Sequence, residues 1–188
     1  MKKVYIIAEI GINHNGDLNT CLDLIKAAKD AGCDMVKFQK RNPDICVPED
    51  EKSREKIWHG QKMTYLDYKK EIEFGREEYN AIAAYCKYIG IDWTVSVWDV
   101  DSVNFMAPYL EEVPFIKIPS ACITDMELLD VVNKYNVPVV ISNGMSTIEE
   151  MEAAVTHLKN LQGIMQCNSS YPAAYNELDL RVINKLRS

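Results

Sequence analysis

The sequence predicts an α/β fold built on a parallel sheet. Three observations lead there. Short apolar runs alternate with helical segments about six times along the 188 residues. The runs are mostly continuous, as in strands covered on both faces. Polar residues collect at their C-terminal ends, where chemistry gathers in folds of this kind.

VYIIAEI (4–10) reads as the first strand, from its β-branched apolar run. GINHNGD follows as a loop. Residues 18–31 place Leu18, Leu22, Ile25 and Ala28 on one helical face, and Gly32 closes that helix. CDMVKFQ (33–39) is the second strand. Residues 40–76, with Pro43, Pro48 and a charged stretch, read as irregular and solvated; they are long for a loop, and long loops in compact domains are often functional. A helix over 77–89 stops at Gly90, and IDWTVSVW (91–98) is the third strand. DVDSVNFMAPYL is a short helix, and PFIKIPS (114–120) the fourth strand. Thr124 to Glu127 has capping-box spacing and opens a helix ending near Asn136. VPVVIS (137–142) is the fifth strand, and Ser146 to Glu149 predicts a second capping box for a helix reaching about Asn160. GIMQCNS (163–169) is the sixth strand, and ELDLRVINKLRS opens a sixth helix.

Two architectures fit this order. One is a doubly wound open sheet; the other is a (β/α)₈ barrel, which usually takes about 250 residues. Neither GxGxxG nor GxxxxGK[ST] follows a strand, so the open-sheet reading lacks its nucleotide-binding fingerprint.

Composition narrows the function. Hydrophobic residues make up 47% and charged residues 26%, and the net charge is −7. There is no basic patch interleaved with aromatics, so nucleic acid and membrane surfaces are not expected partners. No segment has the eighteen or so apolar residues of a membrane span, and the N-terminal run reads as a strand, not a signal peptide. Six cysteines without a CxxC pair read as reduced thiols of a cytoplasmic protein, with Cys122 and Cys167 as small core fillers.

Lys37 and Lys117 each lie inside an apolar strand, in MVKFQ and FIKIP. Burying an ammonium is costly without a partner. Either each lysine pairs with a core carboxylate such as Glu9 or reaches solvent, or the two form a site for an anion with several oxygens. Small hydroxyls and amides follow them at strand ends: Gln39, Ser96, Ser120, Ser142 and Ser169, with Tyr171 just beyond. Glu9 is an ion-pair partner or a carboxylate for proton transfer, and His14 reads as a structural histidine.

AEIGINHNG (8–16), VKFQK (36–40), IKIPSA (116–121), ISNGMSTIEE (141–150) and QCNSSYPA (166–173) resemble the sialic acid synthase family, its bacterial branch in particular. The resemblance implies a (β/α)₈ TIM barrel, with about six of its eight βα units in residues 1–188. It implies condensation of phosphoenolpyruvate with an N-acetylated hexosamine, such as N-acetylmannosamine, to a nine-carbon sialic-type acid and phosphate. Glu9, Lys37 and Lys117 would then be catalytic, and Gln39, Ser96, Ser120, Ser142, Ser169 and Tyr171 would bind substrate. A divalent metal, manganese or magnesium, is implied with its ligands beyond Ser188, as is a C-terminal antifreeze-like domain. The sequence departs from the family at Ala121 and Cys122, where many members carry glycine and glutamate, and at Ser96, which takes a threonine place. A six-strand piece of a barrel has open edges. A longer parent protein, a homo-oligomer or a completing partner chain is therefore expected, with weak or no turnover by these residues alone. The alternatives are a Schiff-base aldolase using Lys37 or Lys117, or a barrel piece that only binds an anion or partner.

Overall fold

In the computed structural model, which describes residues 4–186, the chain divides into two units that meet between Pro114 and Phe115. The first carries three parallel strands, β1 (Ile7–Gly11), β2 (Met35–Lys40) and a third, Asp92–Val97, in register Glu9↔Lys37↔Thr94 and Gln39↔Ser96. Helix α1 (Leu18–Asp30) follows β1. Asp17 caps it by accepting from the Thr20 N–H at 2.5 Å. Its buried stripe is Cys21, Ile25 and Ala28; Leu18 and Leu22 are only half-buried. The predicted face is therefore turned by one residue, because the small Cys21 thiol packs as an apolar group.

The segment expected to be irregular is ordered. It folds into α2 (Pro43–Cys46), α3 (Glu49–Lys52), an antiparallel hairpin of β3 (Glu55–Trp58) and β4 (Gln61–Thr64), and α4 (Tyr65–Glu71). The hairpin turn is His59-Gly60, both with positive φ (48° and 76°). Two such residues make the mirror-image turn whose twist matches the strands. Helix α5 (Arg76–Ile89) ends at left-handed Gly90 and buries Tyr79, Ile82 and Cys86. Burial pushes the Cys21 and Cys86 thiols up to about 12, so both are inert core atoms. The third parallel strand is β5 (Asp92–Val97), and α6 (Val100–Met106) follows it.

Period-two patterning explains how these strands sit. Val36 and Phe38 on β2, with Trp93 and Val95 on β5, share one face. Phe38 meets Tyr79 of α5 edge-on at 6.4 Å, and Tyr79 tilts on Trp93 at 6.0 Å. Each such aromatic contributes about 2–3 kcal/mol by burial. Lys37, Gln39, Thr94 and Ser96 share the opposite face. The strands are thus not apolar on both sides, as the continuous runs suggested; one side is polar.

The second unit holds β6 (Ile116–Ile118), β7 (Val139–Ser142) and β8 (Leu161–Met165), all parallel. Helix α7 (Met126–Tyr135) buries Leu128, Leu129 and Val132. Its cap is Asp125, not Thr124, and α8 (Ile148–His157) is capped by the Thr147–Glu150 box, not by Ser146–Glu149. Both helices start one residue later than predicted, where a side-chain oxygen reaches the third N–H ahead of it. β7 is fully buried and β8 only partly. The predicted sixth helix is reduced to a short turn, Tyr175–Glu177, and α9 (Val182–Lys185).

Candidate active site

The polar face of the first unit forms one connected cluster. Lys37, 7% exposed, is paired with Glu9 Oε2 and donates to Ser96 Oγ at 3.0 Å. The register dictates this: Glu9 lies beside Lys37 on the neighbouring strand, and Ser96 lies one pleat further along β5. Of the two sequence readings of Lys37, the ion pair with Glu9 is present, and the lysine still has a hydroxyl on its other side. Glu9 remains half-exposed. Gln39 is one pleat beyond Lys37. A Cβ placed on Gly11 would lie 3.2 Å from Gln39 Nε2 and 3.4 Å from Glu9 Oε1, so the two side chains reach the same side of the Gly11 backbone. Gly11 has φ +57, a conformation that suits glycine.

A second layer, absent from the sequence reading, holds this cluster in place. Lys40 is buried and donates to Glu73 Oε1 and to the Phe74 carbonyl, both at 2.7 Å; its ammonium lies 4.6 Å over Phe105. Burial pushes the Glu73 carboxyl above the usual carboxylate range, against the opposing pull of Lys40. Arg41 donates to Gln39 Oε1 at 2.5 Å and stacks 3.7 Å over Trp98. Asp99 is buried and accepts from the N–H and hydroxyl of Ser102, the N–H of Asn42 and the Cys46 thiol. Arg41, Lys69, Tyr65 and Glu73 edge a cavity of 190 Å³ floored by Ile12, Val47 and Ile72.

His14 has the structural role expected of it. It is buried, stacks on Phe74 at 3.8 Å and accepts at Nδ1 from the Gly16 N–H. Burial lowers its pKa to about 4.

In the second unit, Lys117 is half-buried in the middle of β6, and Ser142 is buried at the end of β7. Ser120 starts a short turn after β6, and its carbonyl accepts from Ser146 Oγ at 3.4 Å. Asn143 bonds Gln166 and the Cys167 N–H, tying the ends of β7 and β8. Ser169 edges an open cavity of 560 Å³ there, with Asn143, Ser146 and Asn168. Tyr171 is fully exposed. Cys167 is exposed as well, against its expected place in the core, because it lies past the end of β8; Cys122 is buried as expected. All six cysteines are free thiols.

Glu9, Lys37, Gln39 and Ser96 are therefore brought together directly; Ser120, Ser142 and Ser169 lie at or beyond C-terminal strand ends of the second unit. Thr94, Lys40, Arg41 and Glu73 escaped the sequence reading. Thr94 was detectable, since it alternates with Ser96 inside an apolar run. The Lys40–Glu73 pair, separated by 33 residues, was not.

Repeated βα units with a carboxylate–lysine–hydroxyl cluster on the polar face of the strands belong to an α/β protein of the (β/α)₈-barrel class, six units of which are present. More narrowly, residues 24–188 match the NeuB family, and the chain belongs to that family, the sialic and related nonulosonic acid synthases. The sequence is 38% identical over 190 residues to the N-acetylneuraminate-9-phosphate synthase of Drosophila melanogaster, covering 98% of this chain and 50% of that protein. It is 31% identical over 192 residues to the N,N'-diacetyllegionaminic acid synthase of Legionella pneumophila, covering 97% of this chain and 53% of that protein. The solved structure of N-acetylneuraminic acid synthetase from Leptospira borgpetersenii, in complex with citrate, matches with a TM-score of 0.86 at 28% identity, over 99% of this chain and 61% of that one. The chain thus spans about half the length of the curated relatives it matches. The fold class and the family read from the sequence both stand, and the open doubly wound sheet is set aside.

Proposed function

We propose that the protein carrying this chain condenses phosphoenolpyruvate with an N-acetylated hexosamine, giving a nine-carbon sialic-type acid and inorganic phosphate. The observation that carries the reading is the buried Lys37, held between Glu9 and Ser96 on the polar face of β1, β2 and β5. Membership of the synthase family supports it. Lys37 and Ser96 would hold the phosphate or carboxylate of phosphoenolpyruvate, and the resemblance adds Lys117, Ser120, Ser142 and Ser169. Gln39 and Tyr171 would face the sugar.

The methylene carbon of phosphoenolpyruvate attacks the open-chain aldehyde, whose oxygen takes a proton. Water adds at the cationic C2 and loses a proton, for which Glu9 is the acceptor at hand. The tetrahedral intermediate then expels phosphate and leaves the keto acid. Lysine and hydroxyl groups that hold the anion in place supply orientation and charge stabilisation throughout. The divalent metal implied by the resemblance finds no cluster of three or more His, Cys, Asp or Glu among the described residues, so no step is routed through it.

The test is phosphate release by the natural protein from phosphoenolpyruvate, with manganese and a panel of N-acetylated hexosamines. Release with one of them is expected, and Lys37→Met should raise the KM for phosphoenolpyruvate about a hundredfold, the value of one lost charge-assisted contact. No release with any sugar sinks the reading. Borohydride trapping of a carbonyl substrate on Lys37 or Lys117 would favour an aldolase instead; the engagement of Lys37 by Glu9 and Ser96 supports a charge anchor.

A further inference from the structure

We infer that Arg41 is a positioning residue: it sets Gln39 as a hydrogen-bond donor, so that Gln39 and Glu9 together select a hydroxyl group of the amino sugar. The identity of that ligand rests on the synthase reading above.

A glutamine amide has an acceptor end and a donor end, and either can be turned toward a ligand. A guanidinium carries five donors and no acceptor, so it can meet only the acceptor end. Arg41 Nη2 lies 2.5 Å from Gln39 Oε1. The amide oxygen is thereby committed to Arg41, and Nε2 faces the other way, onto the space above Gly11. Gln39 Nε2 has no hydrogen-bond acceptor among the described residues.

Arg41 is itself well fixed. Its guanidinium lies 3.7 Å over the Trp98 ring, and its backbone N–H donates to Glu73 Oε1 at 3.2 Å. Glu73 is anchored in turn by Lys40. The orientation of one amide is thus secured by two layers of side chains.

Across the same space lies Glu9 Oε1, while Glu9 Oε2 is the oxygen paired with Lys37. A donor and an acceptor presented on the same side of the Gly11 backbone are together complementary to a hydroxyl. Its hydrogen goes to Glu9, and its oxygen accepts from Gln39. An ether oxygen satisfies only one of the two, and an ammonium meets the Gln39 donor with another donor.

The experiment uses the natural protein with Arg41→Met, Arg41→Lys, Gln39→Leu and the Arg41→Met/Gln39→Leu pair. Two readouts are taken: KM for N-acetylmannosamine against KM for phosphoenolpyruvate, and the order of the Gln39 side-chain amide by ¹⁵N relaxation. Arg41→Met is expected to raise the sugar KM about tenfold while the phosphoenolpyruvate KM stays within about twofold. Arg41→Lys recovers part of the loss. In the Gln39→Leu background, Arg41→Met adds nothing, because the amide it orients is gone. In Arg41→Met the Gln39 amide loses order. An equal rise in both KM values, an additive effect in the Gln39→Leu background, or an amide as ordered as before overturns the proposal. Should the amide lose order although the unaltered protein binds no N-acetylated hexosamine, the positioning by Arg41 stands, and the assignment of the ligand falls with the synthase reading.

Discussion

Acidification will destabilise the first unit through His14. The imidazole is 3% exposed and stacked on Phe74, and its Nδ1 is already used as an acceptor from Gly16. Burial disfavours the charged form and lowers the pKa from 6.5 to about 4. The unfolded chain takes up a proton near pH 6.5, which the folded protein refuses until about pH 4. The stability this group contributes is therefore full above 6.5 and is lost as pH falls through that window. Over the whole window the loss is about 3 kcal/mol, since each tenfold change in proton affinity is worth about 1.4 kcal/mol. Urea unfolding at pH 7, 5.5 and 4 measures it, with His14→Leu as the non-titrating reference. The reference is less stable at pH 7 but should lose about 3 kcal/mol less on going to pH 4. Parallel stability curves for the two proteins would refute the reasoning.

Other perturbations follow from the same contacts. Glu73→Ala leaves the buried Lys40 ammonium without its carboxylate and should cost about 3–5 kcal/mol, whereas Lys40→Met combined with Glu73→Leu should cost far less; denaturant midpoints distinguish the two. Gly16→Ala puts a Cβ 2.6 Å from the Glu71 carbonyl at φ +78, so a loss of about 2–4 kcal/mol is expected. Gly32→Ala has a similar φ of +83 but open space around it, and should lose only about 1 kcal/mol. Thermal unfolding of both checks whether the difference is steric.

Several features of this fold could be read in advance because they depend on local chemistry. Gly90 ends α5 in a left-handed conformation, and Asn136 does the same for α7, as the predicted helix ends implied. Lys37 was conspicuous because an ammonium inside MVKFQ needs an explanation, and its partner Glu9 is one strand away. The misses are of another kind. Asp125 and Thr147 displaced Thr124 and Ser146 as caps, since adjacent oxygens compete and only backbone geometry decides between them. The hairpin at His59-Gly60 leaves little trace in the sequence, because EKIW and QKMT are four residues each and carry no regular apolar alternation. Arg41 and Glu73 act through residues distant in sequence or through a neighbour's orientation, which no local pattern encodes.

Asp99 has a mechanical consequence. One buried carboxylate accepts from the segment after β2, through Asn42 and Cys46, and from the first turn of α6, through Ser102. Prising those two segments apart would leave an anion stripped of its donors inside the protein, a cost of several kcal/mol. They therefore travel as a single stiff lip. The neighbouring hairpin of β3 and β4 is held by looser means: its own strand pairing, a Glu55–Lys62 ion pair at the surface and the packing of Trp58 on Tyr68.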